Sequence, residues 1–211
     1  TAVTIGRGQS MDYRIFHAVN VFATHHKWLA HATYAFETVG VAFYAAAVLL
    51  LWLATAPGAE RRWKFAALSG ASSAGLALAI NQMIARVWHR PRPYQSHQHV
   101  YHLTNSRDPS FPSDHASAAF GIAFGIYFFD RRIGRFFIVV AALIAAGRLV
   151  VGAHYLTDVL ASLIVAVIAA SLISKVGRPL LYRMVLLLER VSDPVARRYH
   201  DRRTRHFANP S

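Results

Sequence analysis

The chain has 211 residues, 55% of them hydrophobic and only 16% charged, and a formal net charge of +13. It has no cysteine, which excludes disulfides and cysteine-ligated metals and leaves the redox compartment unread. Its apolar residues fall in long uncharged runs, so a soluble fold would have to hide two 20-residue apolar helices in a small chain; a membrane protein is expected instead.

Thr1 to Gln9 contains no apolar core of the kind a cleavable signal peptide needs. Asp12 to Thr24 places Ile15, Phe16, Val19, Phe22 and Ala23 at helical spacing, which predicts an amphipathic helix at the interface or a short first span. A helix follows from about Trp28 to Ala56, stopped by Pro57-Gly58, and another from about Trp63 to Ala85; their charge-free runs, Thr38 to Ala59 and Phe65 to Ala85, reach the roughly 20 residues that cross a bilayer core. Three later helices are predicted over Ser113 to Phe129, Arg135 to about Val151 and Thr157 to Ser174. Their apolar runs reach spanning length if Asp114, Arg148 and Asp158 belong to a polar pocket rather than to lipid. After Gly177-Arg178-Pro179 comes a basic amphipathic segment with Leu181, Met184, Val185 and Leu188 on one face, then an arginine-rich tail. The expected fold is thus an all-α, polytopic integral membrane helix bundle of five or six spans. It forms one domain over 1–211, with a core of about 12–175 and a basic tail of 176–211.

Basic residues orient the bundle. The turn with Arg61, Arg62 and Lys64, the turn with Arg131, Arg132 and Arg135, and the tail from Lys175 hold 15 of the 23 Lys and Arg. In an alternating trace these share one side, which the positive-inside rule makes cytoplasmic. Charge placed beside spans suits anionic headgroups, and no aromatic-basic platform for nucleic acid is visible.

Between the second and third apolar runs lies a polar island, Arg86 to His115, holding Arg86, Arg90, Arg92 and the run Phe111-Pro-Ser113-Asp114-His115. Arginine forks match phosphate oxygens, and a helix opened by Pro-Ser aims backbone N–H groups at an anion. A second cluster runs from Arg148 to His154 and Asp158, the last two sharing a helical face. A carboxylate on one imidazole nitrogen leaves the other free to act as a nucleophile, and His115 on the same side is placed to protonate a leaving oxygen. Arginines and a helix dipole supply the charge stabilisation that metals give elsewhere, so no metal or cofactor is expected. His89, His97, His99 and His102 read as a solvated loop. Glu37, a carboxylate within the first long helix, is read as pairing with a site arginine or hydrogen-bonding a neighbouring helix. Asn81 and Gln82 read as helix-packing polar residues.

These motifs resemble the type 2 phosphatidic acid phosphatase superfamily, whose patterns are Lys-x6-Arg-Pro, Pro-Ser-Gly-His and Ser-Arg-x5-His-x3-Asp. Arg92-Pro93, Pro112, Ser113 and His115, and Arg148, His154 and Asp158 match them in order. The resemblance implies His154 as the nucleophile forming a phosphohistidine, Asp158 as its partner and His115 as general acid. Arg92, Arg148 and Ser113 would bind phosphate. The family lysine is Ala85 here, with Arg86 or Arg90 expected to substitute; the family glycine is Asp114, counted with the phosphate-facing residues; and the family serine is Gly147. Phe-Pro-Ser-Asp-His-Ala with Arg-Pro-Arg-Pro-Tyr is similar to the bacitracin-resistance branch of undecaprenyl-diphosphate phosphatases. That implies hydrolysis of undecaprenyl diphosphate at the outer face of the inner membrane. Phosphatidylglycerophosphate or phosphatidic acid are the alternative substrates, and a silent lipid-phosphate binder or a haloperoxidase are readings of other classes.

Overall fold

The computed structural model describes residues 10–55 and 61–208, with side chains to Pro194 apart from Val41. The polar stretch Thr1 to Gln9, the stop at Pro57-Gly58 and the tail arginine side chains lie outside the described residues. The elements are α1 (Met11–His25), α2 (Lys27–Leu53), α3 (Arg62–Val87), a one-turn α4 (Pro93–Ser96), α5 (Asp114–Tyr127), α6 (Arg131–Val150), α7 (Leu156–Ser171) and α8 (Arg178–Ala208). A π-helical turn, Leu172–Val176, carries α7 into α8. The described residues are helical or irregular, as an all-α reading requires.

Among the described residues three helices are long and apolar enough to cross a membrane: α2, α6 and α7 with its π-turn, with mean hydropathies of 1.9, 2.0 and 2.4. The expected span over Phe65 to Ala85 corresponds to α3, whose apolarity is diluted by Ser69, Ser73 and Asn81, all buried in the bundle rather than turned to lipid. The helix after Ser113 has 14 residues, about 21 Å at 1.5 Å per residue, shorter than a bilayer core.

The core is built from small residues. Ala66, Ala116, Ala119, Ala123, Ala141 and Ala145 pack with Phe120, Ile126, Phe137 and Ile144. Close approach of α3 and α5 depends on paired glycines: a Cβ on Gly125 would stand 2.7 Å from Gly70 Cα, and one on Gly121 would stand 2.9 Å from Ala74 Cα. This small-xxx-small pair is what lets two backbones touch where the hydrophobic effect contributes little.

The long connection between α3 and α5 folds over one end of the bundle. Asn20 of α1 exchanges two hydrogen bonds with the backbone of Tyr101, at 2.6 and 3.0 Å. Leu103 N donates to Val151 O, and Ser110 N to Arg90 O. Its histidines pack on rings: His97 lies on Tyr13 with centroids 3.8 Å apart, and His102 stacks on Tyr94 at 4.6 Å. The α6–α7 turn needs Gly152 at φ +77, where a Cβ would meet Tyr101 O at 2.3 Å.

In α8 the buried positions are Leu181, Val185 and Glu189, an i, i+4, i+8 stripe; Met184 and Leu188, expected on the same face, are exposed. The stripe is narrower because ion pairs, described below, hold α8.

Candidate active site

A cleft of about 290 Å³ opens where the connection covers the ends of α2, α5 and α6. Tyr34, Glu37 and Thr38 of α2 form one wall; Arg92, Thr104 and Asp108 of the connection form another; His115, Arg148 and His154 complete it. The motif residues Arg92, His115, Arg148 and His154 therefore meet in one cleft, together with Tyr34, 120 positions before His154.

His154 sits in the turn before α7, 2% exposed. Its Nδ1 lies 2.7 Å from the backbone carbonyl of Ser110, which fixes the tautomer with the proton on Nδ1. Nε2 is then a lone pair, and Arg92 Nη1 donates to it at 3.2 Å. Burial pushes the imidazole pKa down to about 4, Arg148 and Arg92 push the same way, and Asp158 offsets only part of this.

Asp158 does not take the place at Nδ1 that the motif suggested. Its Oδ2 is 3.7 Å from Nδ1 and instead accepts from the Ser110 hydroxyl at 2.5 Å and from Tyr155 N at 2.9 Å. Its Oδ1 accepts from Arg90 Nη1 at 2.6 Å. The carboxylate thus holds the two chain segments that hold the imidazole, because the four-residue spacing crosses the start of α7 rather than lying within a helix. Ser110 was missed from sequence: a backbone carbonyl carries no side-chain signal.

Arg90 is fully engaged away from the cleft. It reaches Asp12 and Thr157 at 2.6 Å each as well as Asp158, and its guanidinium lies 4.2 Å over the Tyr155 ring. Arg86 is exposed at the end of α3 and does not line the cleft. It stands one residue past Ala85, a rotation of about 100° around the helix. Asp114 lines the cleft, but its oxygens accept from Asn81 at 2.8 Å and Gln82 at 3.2 Å, making it a tie between α3 and α5 rather than an anion ligand.

Arg148 is 4% exposed and ion-paired through Nη1 with Glu37, itself 1% exposed, so Glu37 does pair with a site arginine across helices. Arg92, 7% exposed, is braced by the carbonyls of Asp108 and Ala153. His115 is exposed to the cleft. Ser113 caps α5 without a side-chain capping bond. Among the described residues, four buried donors at this end of the bundle have no partner: Arg148 Nε and the hydroxyls of Ser113, Thr104 and Tyr101. Orphaned buried donors beside guanidinium groups suit an oxyanion.

The geometry has relatives. Undecaprenyl-diphosphatase BcrC of Bacillus subtilis strain 168 is 29% identical over 194 residues, 90% of this chain and 98% of that protein. The bacitracin transport permease protein BcrC of Bacillus licheniformis is 32% identical over 90 residues, covering 42% of this chain and 44% of its own length. Among solved structures, Aquifex aeolicus LpxE superposes with a TM-score of 0.66 at 20% identity, covering 81% of this chain and 98% of that one. A transmembrane PAP2-type phosphatidylglycerolphosphate phosphatase from Bacillus subtilis does so with 0.60 at 17%, covering 82% and 89%. At such identities the two structures speak to the fold. The PAP2 superfamily model matches residues 66–180, which contain every motif residue of the cleft, and the chain belongs to that superfamily.

Proposed function

We propose that this PAP2 membrane phosphatase hydrolyses undecaprenyl diphosphate to undecaprenyl phosphate, with His154 as nucleophile, His115 as general acid and Arg92, Arg148 and Ser113 as phosphate ligands. The observation that carries the mechanism is the His154 imidazole, locked by Ser110 with its Nε2 lone pair facing the buried Arg92, in a cleft that Arg148 also lines. Likeness to BcrC over nearly its whole length supports the substrate.

Arg92 Nη1 donates to Nε2, so a phosphate that draws this guanidinium onto its own oxygens frees the lone pair. Nε2 then forms the N–P bond while the bridging P–O bond breaks, and His115 gives its proton to the departing undecaprenyl phosphate. His115, now a base, takes a proton from water, which cleaves the N–P bond and releases inorganic phosphate. Arg148 Nε and the Ser113 hydroxyl supply donors already buried and oriented, the kind of preorganisation that stabilises developing charge.

Five or six spans, a cleft facing the exterior and a cytoplasmic carboxyl end complete the reading. Three basic regions stand at the bundle end away from the cleft, which supports that orientation.

The test is phosphate release by the purified protein, with chelator present, from undecaprenyl diphosphate, phosphatidylglycerophosphate and phosphatidic acid. Release should be fastest from undecaprenyl diphosphate and fall at least 10⁴-fold in His154→Ala, the scale of losing a covalent catalyst. Wild-type-like rates in that variant sink the mechanism; a faster second substrate sinks the substrate. Tight lipid binding without turnover would mean that Ala85 has left a binder.

A further inference from the structure

A second pocket of about 390 Å³ lies at the bundle end opposite the cleft, lined by Arg61, Arg62, Phe65, Phe128, Phe129 and Arg178. We propose that it binds the phosphodiester headgroup of an anionic lipid from the leaflet opposite the substrate's. Among the described residues its lining carries three guanidinium groups and no carboxylate. Among the same residues Arg61 commits only its Nε, to Glu189 at 2.9 Å. Arg62 stands 3.4 Å from Asp130 and its side chain is 48% exposed. Arg178 has no ion pair among the described residues; its guanidinium hangs 6.0 Å over Phe129, while Lys175 stands 5.8 Å over Phe128.

The floor is aromatic and preformed. Phe65 stacks between Phe129 and Tyr182, with centroids 5.7 and 6.2 Å apart. The π-helical turn at Leu172–Val176 is what brings Lys175 and Arg178 to this floor, since it inserts one residue into the register of α7 before Gly177 ends the turn and α8 begins at Arg178. Its place is held by a buried hydrogen bond between Ser174 and Ser69, 2.9 Å. Cations above ring faces at the ends of apolar helices make a site for a group that is anionic at one end and oily at the other. Basic pockets between spans at headgroup level take lipid phosphates in this way. A free phosphate would gain the charge but not the rings.

The test titrates the full-length protein in neutral detergent with short-chain phosphatidylglycerol, phosphatidylcholine and inorganic phosphate, counting bound lipid by native mass spectrometry. Four proteins are compared: wild type, Lys175→Gln/Arg178→Gln, Arg178→Lys, and Arg92→Gln, which alters the catalytic cleft alone. Wild type and Arg92→Gln should prefer phosphatidylglycerol over phosphatidylcholine. The double variant should bind phosphatidylglycerol about thirty-fold more weakly, as loss of two interfacial cations implies. Arg178→Lys should keep the preference, which guards against a folding defect. Four results overturn the proposal: no preference in wild type, a preference that survives the double variant, loss of preference in Arg92→Gln, or equal competition by inorganic phosphate.

Discussion

His154 illustrates how a single residue is tuned by its surroundings. Buried beside Arg148 and Arg92, its imidazole stays neutral far below the usual histidine range, because burial and the two guanidinium groups disfavour a proton that Asp158 compensates only in part. In the unfolded chain the same ring takes a proton near pH 6.5. As pH falls from there toward about 4, the unfolded state binds a proton that the folded state refuses, so this group weakens the fold in acid and is neutral in its effect above pH 7. In a ¹⁵N-imidazole NMR titration His154 should hold its Nδ1–H tautomer at pH 5.5, where an exposed histidine is mostly charged. A midpoint near 6.5 would show that the ring is not enclosed as described.

At the scale of elements, the site is assembled by a clamp between α1, the connection and α7. Asp12 accepts from Thr157 N at 3.1 Å, capping α7, and Arg90 bridges Asp12 to Asp158. Asp158 is wholly buried, so replacing it with Asn leaves Arg90 short of a partner at the heart of the clamp. Because Arg90 keeps Asp12 and is part-exposed, the loss should fall below the roughly 3–5 kcal/mol of a buried charge left wholly uncompensated. Asp158→Asn should therefore lower the thermal midpoint in detergent along with turnover. Lost turnover at an unchanged midpoint would instead mean that the carboxylate acts directly on the imidazole. The motif spacing brought Arg92, His115, Arg148 and His154 into view before any coordinates, since charged residues bracketing apolar runs have few other uses. Helix positions were legible to within a few residues for the same reason. Ser110's carbonyl and the Asp12–Arg90 clamp were not, because tertiary backbone contacts leave no periodic trace. Nor was the exclusion of Arg86 legible, which depends on where around α3 a single position points.

The whole molecule is polarised along its helices. The cleft and its clamp stand at one end; at the other, Lys64 of α3, only 2% exposed, donates to Glu189 at 3.1 Å and to Asp193 at 2.8 Å. Trp52 of α2 lies 5.5 Å from the same ammonium and its indole N–H reaches Ser192 at 3.2 Å. Among the described residues of α8 only two apolar side chains, Leu181 and Val185, are buried beside these charges, so the ion cluster carries much of that segment's attachment. Lys64→Met keeps the volume and removes the charge; Glu189 retains Arg61, but Asp193 is left uncompensated. The penalty, about 3–5 kcal/mol, falls on the α3–α8 contact. Nineteen residues of α3 separate Arg62 from Asn81 beside the cleft, about 28 Å at 1.5 Å per residue. In Lys64→Met, trypsin should therefore cut at Arg183 and Arg190 several-fold faster than in wild type while phosphate release at low temperature stays within about two-fold. Lost turnover with α8 still protected would mean that the buried lysine acts through the bundle on the cleft, and that the two ends are coupled rather than independent.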